Sequence, residues 1–228
     1  MNFDNIYFIN GTAYAGKSTL VKALAEKYHG IACEENYHNA WLDRLDKREF
    51  PGLTYTRDLE DWHDFVRRTP DEYEAWIKRT SKECEIVELQ MLAQLDAYDR
   101  PVFVDTNICV ETLKRISDRQ HVLVMLADPE ISVNLFFNRP DREKQFLYRL
   151  MMEEPDPESA LENFKNCLAR INSRENYDAF LHAGFQVIVR DEHRSAEETL
   201  ALAEEMLGLR EKSRLSAAES QHVDGSRT

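Results

Sequence analysis

The sequence predicts an α/β fold built on a five-stranded parallel sheet with helices on both faces. Two patterns predict it. Short apolar runs at residues 6–9, 31–33, 100–105, 121–127 and 185–190 alternate with stretches whose apolar residues recur every three or four positions. Such alternation calls for parallel strands joined by right-handed helical crossovers. Between the first strand and the first helix, Gly11-Thr12-Ala13-Tyr14-Ala15-Gly16-Lys17-Ser18 fills every fixed position of G-x-x-x-x-G-K-[ST].

That loop is a phosphate-binding signature with the flanks it needs. The run Ile6-Tyr7-Phe8-Ile9 precedes it, and Leu20, Val21, Ala23, Leu24 and Ala25 follow in a helical pattern. Gly11 and Gly16 permit backbone conformations and close approaches that a Cβ obstructs, so consecutive N–H groups can converge on phosphate oxygens. The next helix adds the partial positive charge of its N-terminus. Residues 11–19, with Thr12, Ala13, Tyr14, Ala15 and Thr19 between and after the fixed positions, are therefore expected to hold a nucleoside triphosphate. Lys17 would reach its β- and γ-phosphates, and the Ser18 hydroxyl would ligate Mg²⁺.

The loop and its setting resemble the P-loop kinases of small molecules, the group that includes nucleotide, nucleoside, shikimate and antibiotic kinases. The resemblance covers roughly residues 5 to 208. It implies a three-layer P-loop NTPase fold with strand order 2-3-1-4-5, ATP and Mg²⁺ as cofactors, and a small-molecule acceptor. Residues 1–212 form one kinase domain in this reading, with a helical acceptor-binding insertion at 36–99 and a lid at 138–150. The stretch from 213 to 228 is Ser-, Ala- and Glu-rich without apolar periodicity and reads as a disordered tail.

Gly30 ends the first helical pattern, and the second strand, Ile31-Ala32-Cys33, delivers Glu34 and Glu35 to its C-terminal end. In open α/β sheets ligands bind at that edge. One of the two carboxylates is placed to accept a proton from a substrate hydroxyl or to act through Mg²⁺, and Glu35 lies one step further beyond the strand. The segment Glu35-Asn36-Tyr37-His38-Asn39-Ala40-Trp41 resembles the deoxynucleoside kinases in its acid followed by an aromatic. It lacks the proline that follows the acid in that family. After the third strand, Asp105-Thr106-Asn107 stands where that family has Glu/Asp-Arg-Ser.

From residue 37 to 99 helical spacing dominates. Residues 58–66 read as a short amphipathic helix. Thr69-Pro70-Asp71-Glu72 then supplies an N-cap, a first-turn proline and a capping-box acid for a long helix. Its stripe of Tyr73, Trp76, Ile77, Thr80, Cys84, Val87, Met91 and Leu95 is expected to pack in the core. By the kinase resemblance this insertion binds the acceptor, with Tyr37, His38, Trp41, Trp62 and His63 as candidates for an aromatic wall.

The third strand opens at Pro101 and ends in Asp105, which as a Walker-B element would hold Mg²⁺ opposite Ser18. A helix over 110–116 and a buried fourth strand follow. Asp128-Pro129 caps the next helix, which runs to Phe137 and leads into Arg139-Pro140-Asp141-Arg142. In nucleotide and shikimate kinases this stretch carries arginines that close over the phosphates. Arg139 and Arg142 are the expected catalytic cations, with Lys144 and Arg149 in reserve. One helix is expected from Asp156-Pro157 through Leu181, closed by Gly184. The final strand and a helix opened by Ser195 complete the sheet, and by resemblance the loop 191–195 lies against the adenine.

Composition narrows the remaining choices. A net charge of −13 opposes nucleic-acid binding, which depends on neutralising phosphates. No apolar run reaches a membrane span, and the N-terminus lacks the basic region and apolar stretch of a signal peptide, so a cytoplasmic protein is expected. Cys33, Cys84, Cys109 and Cys167 form no C-x-x-C pair and read as reduced thiols in or near the core. No Asn-Lys-x-Asp and no Asp-x-x-Gly marks a GTPase. A homodimer is left open.

The second strand's carboxylates favour a neutral or cationic hydroxyl acceptor. A nucleoside monophosphate kinase is the enzymatic alternative, with Arg44, Arg48, Arg57, Arg67 or Arg68 supplying the phosphate clamp. A non-catalytic ATP-binding sensor is the other.

Overall fold

Five strands make one all-parallel sheet: β1 (Ile6–Gly11), β2 (Ile31–Cys33), β3 (Val102–Asp105), β4 (Val122–Leu126) and β5 (Gln186–Val189), in the order β2-β3-β1-β4-β5. The computed structural model describes residues 3–95, 100–138 and 142–209. Arg139 and the tail at 213–228 lie outside them. The middle strands are apolar at nearly every position because both of their faces are covered.

On one face Tyr7, Ile9, Phe103, Leu123 and Met125 pack against Leu20, Val21 and Leu24 of α1 (Lys17–Lys27) and Ala203 of α9 (Ala196–Met206). On the other, Ile6, Phe8, Val102, Val104, Val122 and Val124 meet Leu92 of α3 (Pro70–Leu95) and Leu113 of α4 (Val110–Ile116). Helices therefore flank the sheet on both sides. Among the described residues no helix is long and apolar enough to cross a membrane.

A third apolar cluster stands apart from the sheet. It joins α2 (His63–Val66) and the first turns of α3 to α6 (Arg142–Met152) and α7 (Pro157–Ile171), through Phe65, Tyr73, Met151, Phe164 and Leu168. α3 thus reaches from the sheet into this cluster. The capping box that starts α3 is present, with Thr69 N donating to Glu72 at 2.9 Å and Glu72 N to Thr69 Oγ1 at 3.3 Å.

Three local expectations are corrected. The helix expected over 58–66 is confined to His63–Val66, because residues 51–58 are wound into turns and Asp61 accepts from His63 N at 2.9 Å. The single helix expected from 157 to 181 is two, α7 and α8 (Arg174–Leu181). Asn172 leaves the helical region at φ −103°, ψ 45°, and Ser173 caps the second helix by accepting from Asn176 N. Cys109 is exposed rather than in the core, while Cys33, Cys84 and Cys167 are buried.

The stretch expected as a lid is mostly helical. α5 (Pro129–Leu135) runs into a 3-10 turn at Phe136–Asn138, and α6 takes up the chain from Arg142.

Candidate functional site

The central strand β1 ends in a loop clamped on both sides. On the β3 side Asn10 Nδ2 donates to Ile108 O at 2.6 Å, and its Oδ1 accepts from Gly11 N at 2.6 Å. On the β4 side Thr12 N donates to Met125 O at 3.0 Å, and Ala127 N donates to Thr12 Oγ1 at 2.7 Å. Gly11 is required here: at φ +127° its Cβ would lie 1.9 Å from Met125 O. Gly16, at φ +92°, turns the chain into α1.

The loop carbonyls are drawn outward, each by a side chain. Thr12 O accepts from Lys17 Nζ at 3.0 Å, Ala13 O from Ser132 Oγ at 3.3 Å, and Tyr14 O from Arg190 Nη1 at 2.8 Å. Among the described residues no acceptor meets the backbone N–H of Ala13, Ala15, Gly16, Lys17, Ser18 or Thr19. A row of unmatched donors at a helix N-terminus is a nest for anionic oxygens.

β3 brings its last residue to the same place, since Asp105 pairs with Ile9 in register. Ser18 Oγ donates to Asp105 Oδ2 at 2.7 Å, and Lys17 Nζ lies 3.7 Å from Oδ1. Burial raises the Asp105 pKa above the ordinary carboxylate value, against the pull of Lys17 and Ser18, and the Glu35 and Glu88 carboxylates push in the same direction as burial. A cation arriving here would favour the ionised form. Among the described residues no cluster of three or more His, Cys, Asp or Glu could hold a metal by itself. Mg²⁺ needs no such cage, because one or two carboxylates with phosphates and water complete its octahedron. Ser18 and Asp105 fit that donor set.

No protein-family model matches the chain, and no curated protein matches it either.

Two cavities meet at Tyr14 and Gly16 of the loop and Thr19 of α1. One, of about 190 Å³, is lined by the loop, Glu35, Asp105, Tyr73, Phe136, Lys144 and the end of α7. The other, of about 360 Å³, lies between Leu20 and Ala23 of α1 and the loop Arg190-Asp191-Glu192.

The two acids after β2 part company. Asn36, in the left-handed region at φ 63°, turns the chain, and Glu35 faces the first cavity while Glu34 pairs with Lys22 at 2.8 Å. The expected aromatic wall is not assembled. Trp41 packs on Leu53, Cys84 and Val87, and Trp62 lies 5.7 Å from Phe65 and 5.5 Å from Phe146, ring to ring. His38 is buried between Glu88 and Cys84, His63 Nδ1 sits 2.6 Å from Glu154, and Tyr37 packs under the sheet. Each gains more from burial against neighbours than an exposed ring would.

The cations are also rearranged. Arg142 is exposed at the start of α6 and does not line the cavity, whereas Lys144 does, with Nζ 5.2 Å from the Tyr14 ring centroid and 5.4 Å from that of Phe136. Arg67 and Arg68 line a separate cavity with Arg79, and Arg57 is held by the Leu42 and Leu45 carbonyls. Among the described residues no arginine lines the Glu35 cavity.

Sequence reading missed Glu88. Although fully buried, it accepts from Thr106 Oγ1 at 2.7 Å, Asn107 N at 3.1 Å and Asn107 Nδ2 at 2.9 Å, fixing the turn that follows Asp105. Burial, with the Glu88 carboxylate nearby, pushes the Cys33 thiol up to about 11. Its neighbours on α3 act alike: Glu85 accepts from Cys109 N and Thr112, and Glu83 from Gly52 N and Leu53 N. The signal was present, since Glu88 stands four residues from both Cys84 and Leu92 on the buried face. Replacing Glu88 with Ala strands three donors, and chemical denaturation should register a loss of roughly 3 kcal/mol.

Proposed function

We propose that this protein transfers the γ-phosphoryl group of ATP, in the presence of Mg²⁺, to a hydroxyl of a small molecule. One observation carries the reading: a row of unmatched N–H donors sits beside a buried Ser18–Asp105 pair and a lysine. Donors, cation and carboxylate together match the needs of a polyphosphate chelated by a divalent metal. The cavity between α1 and the loop after β5 offers space for the base on the far side of the loop.

In this mechanism the loop N–H groups and Lys17 bind the β- and γ-phosphates. Ser18 and Asp105 would hold Mg²⁺, which when bound would supply charge to offset that of the phosphate oxygens. Glu35 takes the acceptor hydroxyl proton as the new oxygen–phosphorus bond forms. The bond from the γ-phosphorus to the bridging oxygen breaks, and ADP carries away the electron pair. Lys144 stands where charge on the equatorial oxygens can be offset before bulk water does so. Arg142, exposed, stands outside this cavity, and Arg139 lies outside the described residues.

Glu35 and Asp105 favour a hydroxyl acceptor over a nucleoside monophosphate, whose phosphate would meet two carboxylates with no guanidinium clamp among the described residues. ADP formation tests the choice. It should rise with alcohols supplied as acceptors and stay at the background rate with the four common nucleoside monophosphates. The reverse pattern would replace this reading with the nucleotide-kinase one.

A further inference from the structure

We infer that the acceptor is a neutral or cationic alcohol with an apolar, ring-sized body, and that the last turn of α7 selects it. The inference rests on the phosphotransfer reading above. The wall facing the loop is made by Tyr73, Phe136, Leu168 and Ile171, with Ser132 and Asn172 as its uncharged polar members. Tyr73 and Leu168 are buried, at 6% and 2% exposure, so this surface is fixed by core packing rather than by mobile side chains.

Among the described residues the charged groups around the cavity are Lys17, Glu35, Asp105 and Lys144. Lys17 and Asp105 lie 3.7 Å apart beside Ser18, and the Lys144 ammonium lies 5.2 Å from the Tyr14 ring and 5.4 Å from that of Phe136, where the phosphotransfer reading gives it to the transferred phosphoryl group. An acceptor anion would face Glu35 and the apolar wall, and with Lys17 and Lys144 given to the nucleotide's phosphates it would lose its hydration without a further cation among the described residues. A nucleobase would fare poorly for a related reason. Asn172 Nδ2 is already given to Leu168 O at 2.9 Å, and Ser132 Oγ to Ala13 O at 3.3 Å, so few groups remain to read its polar edge. An apolar ring matches the wall and costs no buried polar group. The break after Ile171 ends the helix at the cavity, and so places three α7-end side chains, Leu168, Ile171 and Asn172, on that wall.

The test uses the full chain with Mg²⁺ and γ-labelled ATP. Its acceptors are benzyl alcohol, the para-aminomethyl, para-carboxy and para-phosphonooxy derivatives of benzyl alcohol, and uridine. Label transfer should favour the neutral and cationic alcohols by at least about tenfold in kcat/KM over the other three. Ile171→Trp, which fills the cavity, should lower acceptor kcat/KM by about tenfold or more while the ATP Kd stays within about twofold. A thermal melt of the variant, read beside that of the parent, shows whether it is folded.

Preference for the carboxylate, the phosphate or uridine would overturn the acceptor class and leave phosphotransfer standing. So would acceptance of none of the five by a protein that still binds Mg²⁺ and ATP. Unchanged acceptor kinetics in a folded Ile171→Trp variant would overturn the role of α7. Failure to bind Mg²⁺ and ATP at all would remove both readings.

Discussion

Lys17→Ala should lower Mg²⁺- and ATP-dependent turnover by about a hundred- to a thousandfold, the usual consequence of deleting one preorganised charge-stabilising donor. Lys17 Nζ donates to Thr12 O at 3.0 Å and lies 3.7 Å from Asp105, so its position is set before any ligand arrives. The side chain therefore needs little reorganisation to meet a phosphate. Alanine would also leave the buried Asp105 carboxylate without its nearby cation. Steady-state ADP release, measured beside a circular dichroism melt, separates lost chemistry from lost fold. Turnover within about twofold of the parent protein, in a folded variant, would remove Lys17 from the mechanism.

Glu35→Gln should reduce kcat by about a hundred- to ten-thousandfold while leaving ATP affinity unchanged, since a positioned general base typically contributes that much. Glutamine keeps the shape at the cavity edge but accepts no proton. Glu34→Gln is the matched control. Its carboxylate pairs with Lys22 across the surface, a contact of little energetic weight, so activity should stay near that of the parent. Stopped assays with saturating ATP and varied acceptor distinguish the two acids. Equal losses in both variants would show that negative charge in the segment, rather than proton transfer at Glu35, matters.

The sheet was legible in the sequence because its signals are local. Continuous apolar runs and the residues that punctuate them determine buried strands, and the observed order β2-β3-β1-β4-β5 is the order that the kinase resemblance implied. The Ser18–Asp105 contact was legible for a related reason: both residues stand at strand or helix ends that a parallel sheet must bring to one edge.

The far wall of the cavity was not legible. Tyr73, Phe136, Leu168 and Ile171 come from helices whose mutual packing leaves no mark at the spacing of three or four residues. An aromatic such as Trp62 gives the same sequence signal whether it lines a ligand or, as here, packs on Phe65 and Phe146. Glu88 was hidden by the habit of reading a helical glutamate as solvated. Its carboxylate finds Thr106 and Asn107, on the turn after β3, with His38 Nδ1 3.4 Å away.

The α7–α8 break was harder still. Ser173 is an ordinary cap residue, and nothing nearby forbids a continuous helix; the chain turns because Asn172 bonds back to Leu168 O and Ser173 caps the next helix.

The most direct test of the central claim is a single-turnover experiment. Protein in excess over γ-labelled ATP is mixed with Mg²⁺ and a pooled library of nucleosides, sugars, amino alcohols and aminoglycosides, far wider than the five aromatic-alcohol and uridine acceptors, quenched over time, and resolved by mass spectrometry. Phosphotransfer predicts label in an organic phosphate ester, formed only with Mg²⁺ and an acceptor and lost in Lys17→Ala. Label that remains on bound ATP, or appears only as inorganic phosphate whatever acceptor is present, would contradict it.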